Sequence, residues 1–115
     1  MQVVKRQFLS AEQEYLWARF PTYFVLRHTN NRKWFAVSGE VQKEKLGLEG
    51  TGSIPILVVK CDPILLGSLL GTGGFLPAYH MSKTSWVSIC MDGTVSDETA
   101  INLLTISYDL TKDRI

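Results

Sequence analysis

The residues best suited to hold a metal or to build a nucleophilic site are two histidines and two cysteines: His28, Cys61, His80 and Cys90. No two of them stand at ligand spacings such as Cys-x-x-Cys or His-x-x-x-His, so no metal site is expected. A nucleophile needs a neighbouring base. Neither a Gly-x-Ser-x-Gly elbow nor a cysteine-protease signature occurs, and Gly67-Ser68 falls inside a helical segment. His80 and Cys90 remain the one pair that folding could bring together, but a lone histidine in an aromatic loop reads more simply as a structural hydrogen-bonding group. Gly71-Thr72-Gly73-Gly74 has the look of a glycine-rich nucleotide loop. It follows a helix instead of preceding one and lacks the Lys-Ser/Thr of a P-loop, so it reads as a helix end and a turn. The expectation is a protein that is not an enzyme and carries no cofactor.

Basic residues supply the other candidate chemistry. Arg27, His28, Arg32 and Lys33 crowd one predicted hairpin turn, with Asn30 and Asn31 at its tip. Lys43 and Lys45 mark a long glycine-containing segment in which Glu40, Glu44 and Glu49 dilute the positive field, whereas the hairpin segment holds no acid of its own. Arg27, Arg32, Lys33, Lys43 and Lys45 are therefore candidate phosphate contacts, and Asn30 and Asn31 candidate groove readers, with double-stranded DNA as the partner. Against that stands the charge balance: twelve Lys plus Arg against eleven Asp plus Glu, net +1. Dedicated nucleic-acid coats usually carry a clear basic excess. The competing reading is a surface built from Lys60, Tyr79, His80, Lys83 and Trp86 that takes a small molecule or a protein partner.

A length of 115 residues suits one domain, 1–115. A composition 45% hydrophobic and 20% charged is globular, and three Trp, four Tyr and five Phe furnish a core. Cys61 and Cys90 are too few for a disulfide framework and read as buried thiols. The start of the chain has no apolar leader, and the longest apolar run, Ile54 to Val59, is far too short to cross a bilayer, so no membrane association and a cytoplasmic location are expected.

Ser10 followed by Gln13 has capping-box spacing and predicts a first helix that Pro21 stops. Tyr23–His28 and Lys33–Ser38 predict a β-hairpin around Thr29–Arg32. Gly39–Ser53 predicts a long loop or a short strand near Leu46–Leu48. Ile54–Lys60 predicts a central strand with apolar residues on both faces. Asp62 as N-cap, Pro63 at the first position and Gly71 as a left-handed close predict a helix burying Leu65, Leu66, Leu69 and Leu70. Thr72–Lys83 is expected to be irregular and Trp86–Met91 a strand ended by Asp92-Gly93. Ser96 caps a last helix lined by Ile101, Leu104 and Tyr108. The order α-β-β-β-α-β-α predicts an α+β sandwich, with a mainly antiparallel sheet of about four strands packed against helices.

Several of these strings occur together in a known family. Glu14-Tyr15-Leu16-Trp17, Lys33-Trp34-Phe35-Ala36, Val59-Lys60-Cys61-Asp62-Pro63, Pro77-Ala78-Tyr79-His80-Met81 with Lys83 and Trp86, Asp92-Gly93 and Ser107-Tyr108 follow in the order seen in the MmcQ/YjbR family, from about Glu14 to Thr111. The chain resembles that family over nearly its whole length. The resemblance implies a CyaY-like (frataxin-like) α/β sandwich and DNA binding through a double-wing arrangement, with no agreed catalytic residues. The segment Lys43–Ser53 is longer and richer in glycine than its counterpart in most of the family.

Overall fold

The computed structural model describes residues 11–15 and 22–112. β-Branched and aromatic residues dominate the segments that become the sheet, as the pleated surface favours. Its strands are β1 (Ala11–Glu14), β2 (Phe24–His28), β3 (Trp34–Gln42), β4 (Ser53–Lys60), β5 (Phe75–Pro77) and β6 (Trp86–Cys90). They lie in the order β1-β2-β3-β4-β6-β5, with every neighbouring pair antiparallel. Two helices complete the described fold: α1 (Pro63–Leu70) and α2 (Asp97–Thr111). The α+β class and antiparallel sheet match the expectation, but the sheet has six strands instead of about four.

The two additional strands correct the sequence reading at specific places. Ala11–Glu14 pairs with β2 in the register Glu12↔Arg27 and is not helical. Ser10 and residues 16–21, which would have capped, continued and stopped the expected first helix, lie outside the described residues. The local capping signal at 11–14 gives way to a cross-strand partner: Glu14 meets Arg27 at 2.9 Å, and Glu12 pairs with Arg32. Within the expected irregular stretch, Phe75–Pro77 adds to the free side of β6, with Pro77 at an outer strand where a missing N–H is tolerated. Likewise, β3 runs on to Gln42, and a 3-10 turn over Lys43–Leu46 replaces the expected loop.

Helix starts follow the capping rules. Asp62 accepts hydrogen bonds from the Ile64 and Leu65 N–H groups, each at 3.0 Å, ahead of Pro63. Ser96 Oγ accepts from Thr99 N–H at 3.2 Å, with Asp97 and Glu98 in the first turn of α2. Two details of α1 differ from expectation. Gly71 closes it in a right-handed conformation (φ −86°), and Leu70 is exposed while Leu66 is the residue fully buried. The glycine that needs its conformation is Gly74, at φ +94°, where a Cβ would lie 2.5 Å from Val95.

Alternation along the central strands gives the sheet two apolar faces. Leu57, Val59, Val87 and Ile89 face the helices and pack with Leu66, Leu103 and Leu104. Ile54, Ile56, Val58 and Trp86 belong to a separate cluster on the opposite face, covered in part by Leu46 and Leu48 from the 3-10 region and by Ala78, Tyr79 and Met81. Cys61 and Cys90 are buried and unbridged, one in each cluster, and burial pushes both thiols up, with Asp62 and Asp92 adding to the effect.

An irregularity in β3 decides which aromatic ring joins which face. Leu26 pairs with Ala36, but Arg27 pairs with Trp34, so Phe35 is an extra residue in the β2–β3 ladder. A bulge of this kind shifts the side-chain alternation by one. Val37 and Val41 face away from the helices. Without the bulge Phe35 would join them and Trp34 would face α2. Instead Phe35 packs edge-on against Tyr108 of α2 (ring centres 5.1 Å apart) and against His28 (5.0 Å), and Trp34 turns to the opposite side.

The bulge also opens the β3–β4 ladder, which ends at Ala36↔Val59. The buried Ser107 hydroxyl of α2 fills the opening: it donates to the Phe35 carbonyl and accepts from the Lys60 N–H at 2.9 Å. One side chain thus bonds two backbone groups, one on each of the two strands. Ser107→Ala removes both hydrogen bonds, and an unfolding free energy lower by about 2–6 kcal/mol is expected from urea denaturation, at 1–3 kcal/mol per buried group. A loss below about 0.5 kcal/mol would mean that the ladder closes without the hydroxyl.

Candidate ligand-binding site

The candidate DNA-contacting residues do not form one free basic surface. Arg27 lies in β2 with its side chain only 13% exposed, held by Glu14 at 2.9 Å. Arg32, at φ +65° in the hairpin turn, pairs with Glu12 and lies 3.7 Å from Glu14. The acids that dilute the hairpin come from β1, next to it in the sheet and earlier in the chain. Asn31 is occupied by the fold: its Nδ2 donates to the Thr111 carbonyl at 2.9 Å, and its Oδ1 accepts from Lys33 N–H at 2.9 Å. Asn30 Oδ1 accepts from Asn31 N–H at the exposed tip. His28 is buried, with Nε2 2.7 Å from Thr111 Oγ1 and its ring 4.4 Å from that of Tyr108. Lys33 is exposed, as is Lys45, while Lys43 is half-buried and lends a favourable field to Asp92. The Asp92 carboxyl sits below its ordinary value chiefly through hydrogen bonds from the Thr94 hydroxyl and N–H.

A different grouping emerges on the sheet face turned away from the helices. The 3-10 region covers one part of that face and the Ala78–Met81 loop another, and between them lies a cavity of about 490 Å³. Val37, Val41, Ile56 and Val58 form its floor. Tyr23, Trp34, Tyr79 and His80 supply aromatic walls, Met81 adds a flexible thioether, and Lys45 reaches in from the 3-10 turn. Among the described lining residues, Lys45 alone carries a fixed charge.

Each wall is held from behind. Trp34 lies under the Arg27 guanidinium, 5.9 Å from the ring centre, and Glu14 holds that guanidinium in turn. Arg27, expected to contact phosphate, is therefore a brace for a cavity wall. Tyr23 rests on Gly39, where a Cβ would stand 2.6 Å from Tyr23 Cδ1, so only glycine lets the ring lie this close to β3. Tyr79 N–H donates to Ser88 Oγ at 3.0 Å, and its ring lies tilted against that of His80 with centres 4.0 Å apart. His80 has φ +63°, a left-handed conformation that few side chains adopt. Burial first, then the field and hydrogen bond of Tyr79, hold the Tyr23 phenol above its ordinary value, which ties the two tyrosines together across the site.

The competing surface expected from sequence is thus brought together in part. Tyr79 and His80 line the cavity. Lys83 instead braces the loop, its Nζ donating to the Ala78 carbonyl at 3.2 Å, and Trp86 is buried beneath that loop's cluster. Lys60 is at the end of β4 with its N–H bound to Ser107. Tyr23, Trp34, Gly39 and Met81 were not candidates at all. The available signal was the apolar alternation on both faces of β3 and β4, which two helices on one side leave half uncovered.

Among the described residues no group of three or more His, Cys, Asp or Glu side chains is placed to hold a metal ion. No helix among them is long and apolar enough to cross a membrane.

Comparison with known proteins places the chain in a family. The chain is 42% identical over 99 residues to YyaQ, an uncharacterized protein of Bacillus subtilis (strain 168), covering 86% of this chain and 84% of that one. A crystal structure of a Pseudomonas syringae protein superimposes with a TM-score of 0.92 at 31% identity, over 96% of this chain and 94% of that one. The crystal structure of Deinococcus radiodurans protein DR2400 shares the fold, with a TM-score of 0.70 at 22% identity over 91% of this chain and 70% of that one. The YjbR family's sequence profile matches residues 6–110, and the chain belongs to the YjbR family.

Proposed function

We propose that this YjbR protein is a non-catalytic binding protein and that its site is the aromatic cavity on the sheet face turned away from α1 and α2, where it takes a small molecule. The observation that carries the reading is the convergence of Tyr23, Trp34, Tyr79, His80 and Lys45 around about 490 Å³ above an aliphatic floor. That volume lies within the usual range for small-molecule sites, about 300–1,000 Å³, as does the pattern of apolar walls with a few polar groups. The braces behind Trp34 and Tyr23 favour binding further, because rings already fixed lose little freedom when a ligand arrives.

A second reading keeps double-stranded DNA as the partner, as the double-wing likeness implies. What favours it is that Lys33, Lys43 and Lys45 enter no ion pair among the described residues. Its weakness is that Arg27 and Arg32 are engaged by Glu14 and Glu12, so a phosphate would have to compete with carboxylates already in place.

Two measurements separate these readings. Titrating small aromatic fragments into ¹⁵N-labelled protein is expected to shift the amides of Tyr79, His80 and Met81 and the Trp34 indole N–H together. In Gly39→Ala the added Cβ forces the Tyr23 ring to move, and fragment affinity is expected to change at least about threefold at a stability cost of about 1–3 kcal/mol. Fragments that leave those signals unmoved would refute the cavity as a site. Fluorescence anisotropy of a labelled mixed-sequence duplex decides the second reading. The cavity account expects little binding at near-physiological salt, whereas a complex that tightens log-linearly as salt is lowered, and is lost in a Lys33→Glu/Lys43→Glu/Lys45→Glu variant, would establish phosphate contact.

A further inference from the structure

We infer that the ligand of the aromatic cavity is an aromatic acid: a flat one- or two-ring compound bearing a single carboxylate, with its ring among Tyr23, Trp34 and Tyr79 and its carboxylate toward Lys45. This inference rests on the cavity being a binding site.

The sign of the charge follows from what lines the space. Aromatic walls by themselves attract cations through the ring faces, so a cage of tyrosines and a tryptophan could suit an ammonium ligand. Lys45 reverses that preference. Among the described residues it is the one fixed charge that lines the cavity, no carboxylate lines the space with it, and it enters no ion pair. A cation placed among the rings would be repelled by this ammonium, whereas an anion finds a partner that the fold does not use. Arg27 strengthens the asymmetry. It sits 5.9 Å from the Trp34 ring centre, so the ring's electron-rich character is already drawn on by one cation before any ligand enters.

The shape of the ligand follows from the floor and walls. Val37, Val41, Ile56 and Val58 present a sheet surface with no charged group, which suits a ring and not a hydrated head. Stacking against rings braced by Arg27 and by Gly39 is geometrically specific, and a planar ligand uses it fully. Polar groups come from the walls: the His80 imidazole and the Tyr79 hydroxyl. They offer hydrogen bonds to a carboxylate held at the rim. His80 is kept there by a left-handed backbone, and conformations of that kind gather at ligand sites, where surrounding structure sustains them.

The test uses three probes with one ring system and three charges at neutral pH: 2-naphthoate, 2-naphthalenemethanol and 2-naphthylmethylamine. Dissociation constants are read from the Tyr79–Met81 amides and the Trp34 indole N–H. The naphthoate is expected to bind about fivefold to tenfold tighter than the neutral alcohol, in keeping with one charge-assisted contact at a partly exposed rim, and the amine more weakly than either. Lys45→Met is expected to bring naphthoate and alcohol within about twofold of each other, and Lys45→Arg to keep the preference. Lys45 lies on an exposed turn, so unchanged spectral dispersion is expected for both variants. If none of the three probes binds, the cavity reading fails and this inference with it. If alcohol or amine binds as tightly as naphthoate, or if Lys45→Met keeps the preference, the cavity stands and the assignment of an acid is overturned.

Discussion

One hydroxyl, that of Ser107, holds together the features on which the site depends. The Phe35 bulge breaks the β2–β3 ladder, and the β3–β4 pairing ends beside it at Ala36↔Val59. Ser107 reaches from α2 into that gap and bonds the Phe35 carbonyl and the Lys60 N–H. A bulge inside a six-stranded sheet is tolerable only when its orphan groups are met, because a buried unpaired carbonyl or amide costs as much as the packing around it contributes. With the hydroxyl in place, Phe35 can turn toward Tyr108 and His28, and Trp34 can turn toward the cavity. Core and cavity are consequences of the same shift by one residue.

The same economy explains the hairpin's charge. A cluster of Arg27, Arg32 and Lys33 in one short segment suggests an anion-binding tip. In the folded chain β1 lies beside β2 and brings Glu12 and Glu14 to the two arginines. Exposed pairs such as Arg32 with Glu12 add little to stability. The half-buried Arg27 has a different consequence, since its guanidinium is trapped between Glu14 and the Trp34 ring and steadies the wall of the cavity. Asn31, which reads as a free tip residue, ties the hairpin to the end of α2 through the Thr111 carbonyl.

Much of the fold is legible in the residues because it rests on local signals. Asp62-Pro63 and Ser96 announce helix starts through caps that act within three positions, and the Asn-rich turn between β2 and β3 is similarly local. What escaped was set by partners distant in sequence. The short segment Ala11–Glu14 carries a capping pattern that a neighbouring strand overrides, and β5 is three residues long and exists because β6 has a free side. The site was half legible. Tyr79 and His80 stand out by type, but the alternation rule applied through Lys33–Ser38 puts Trp34 and Phe35 on the wrong faces, since a bulge leaves no mark in residue types. Gly39 is equally silent until Tyr23 is seen lying on it.

The bulge sends Phe35 to the helix side and Trp34 to the cavity side. Nuclear Overhauser contacts of the two rings, measured on ¹³C-labelled protein, check this placement. Phe35 ring contacts to Tyr108 and His28 are expected, together with Trp34 ring contacts to the cavity residues and none to α2. Trp34 contacts to Tyr108, with Phe35 among the cavity methyls, would contradict it and would dissolve the cavity as described.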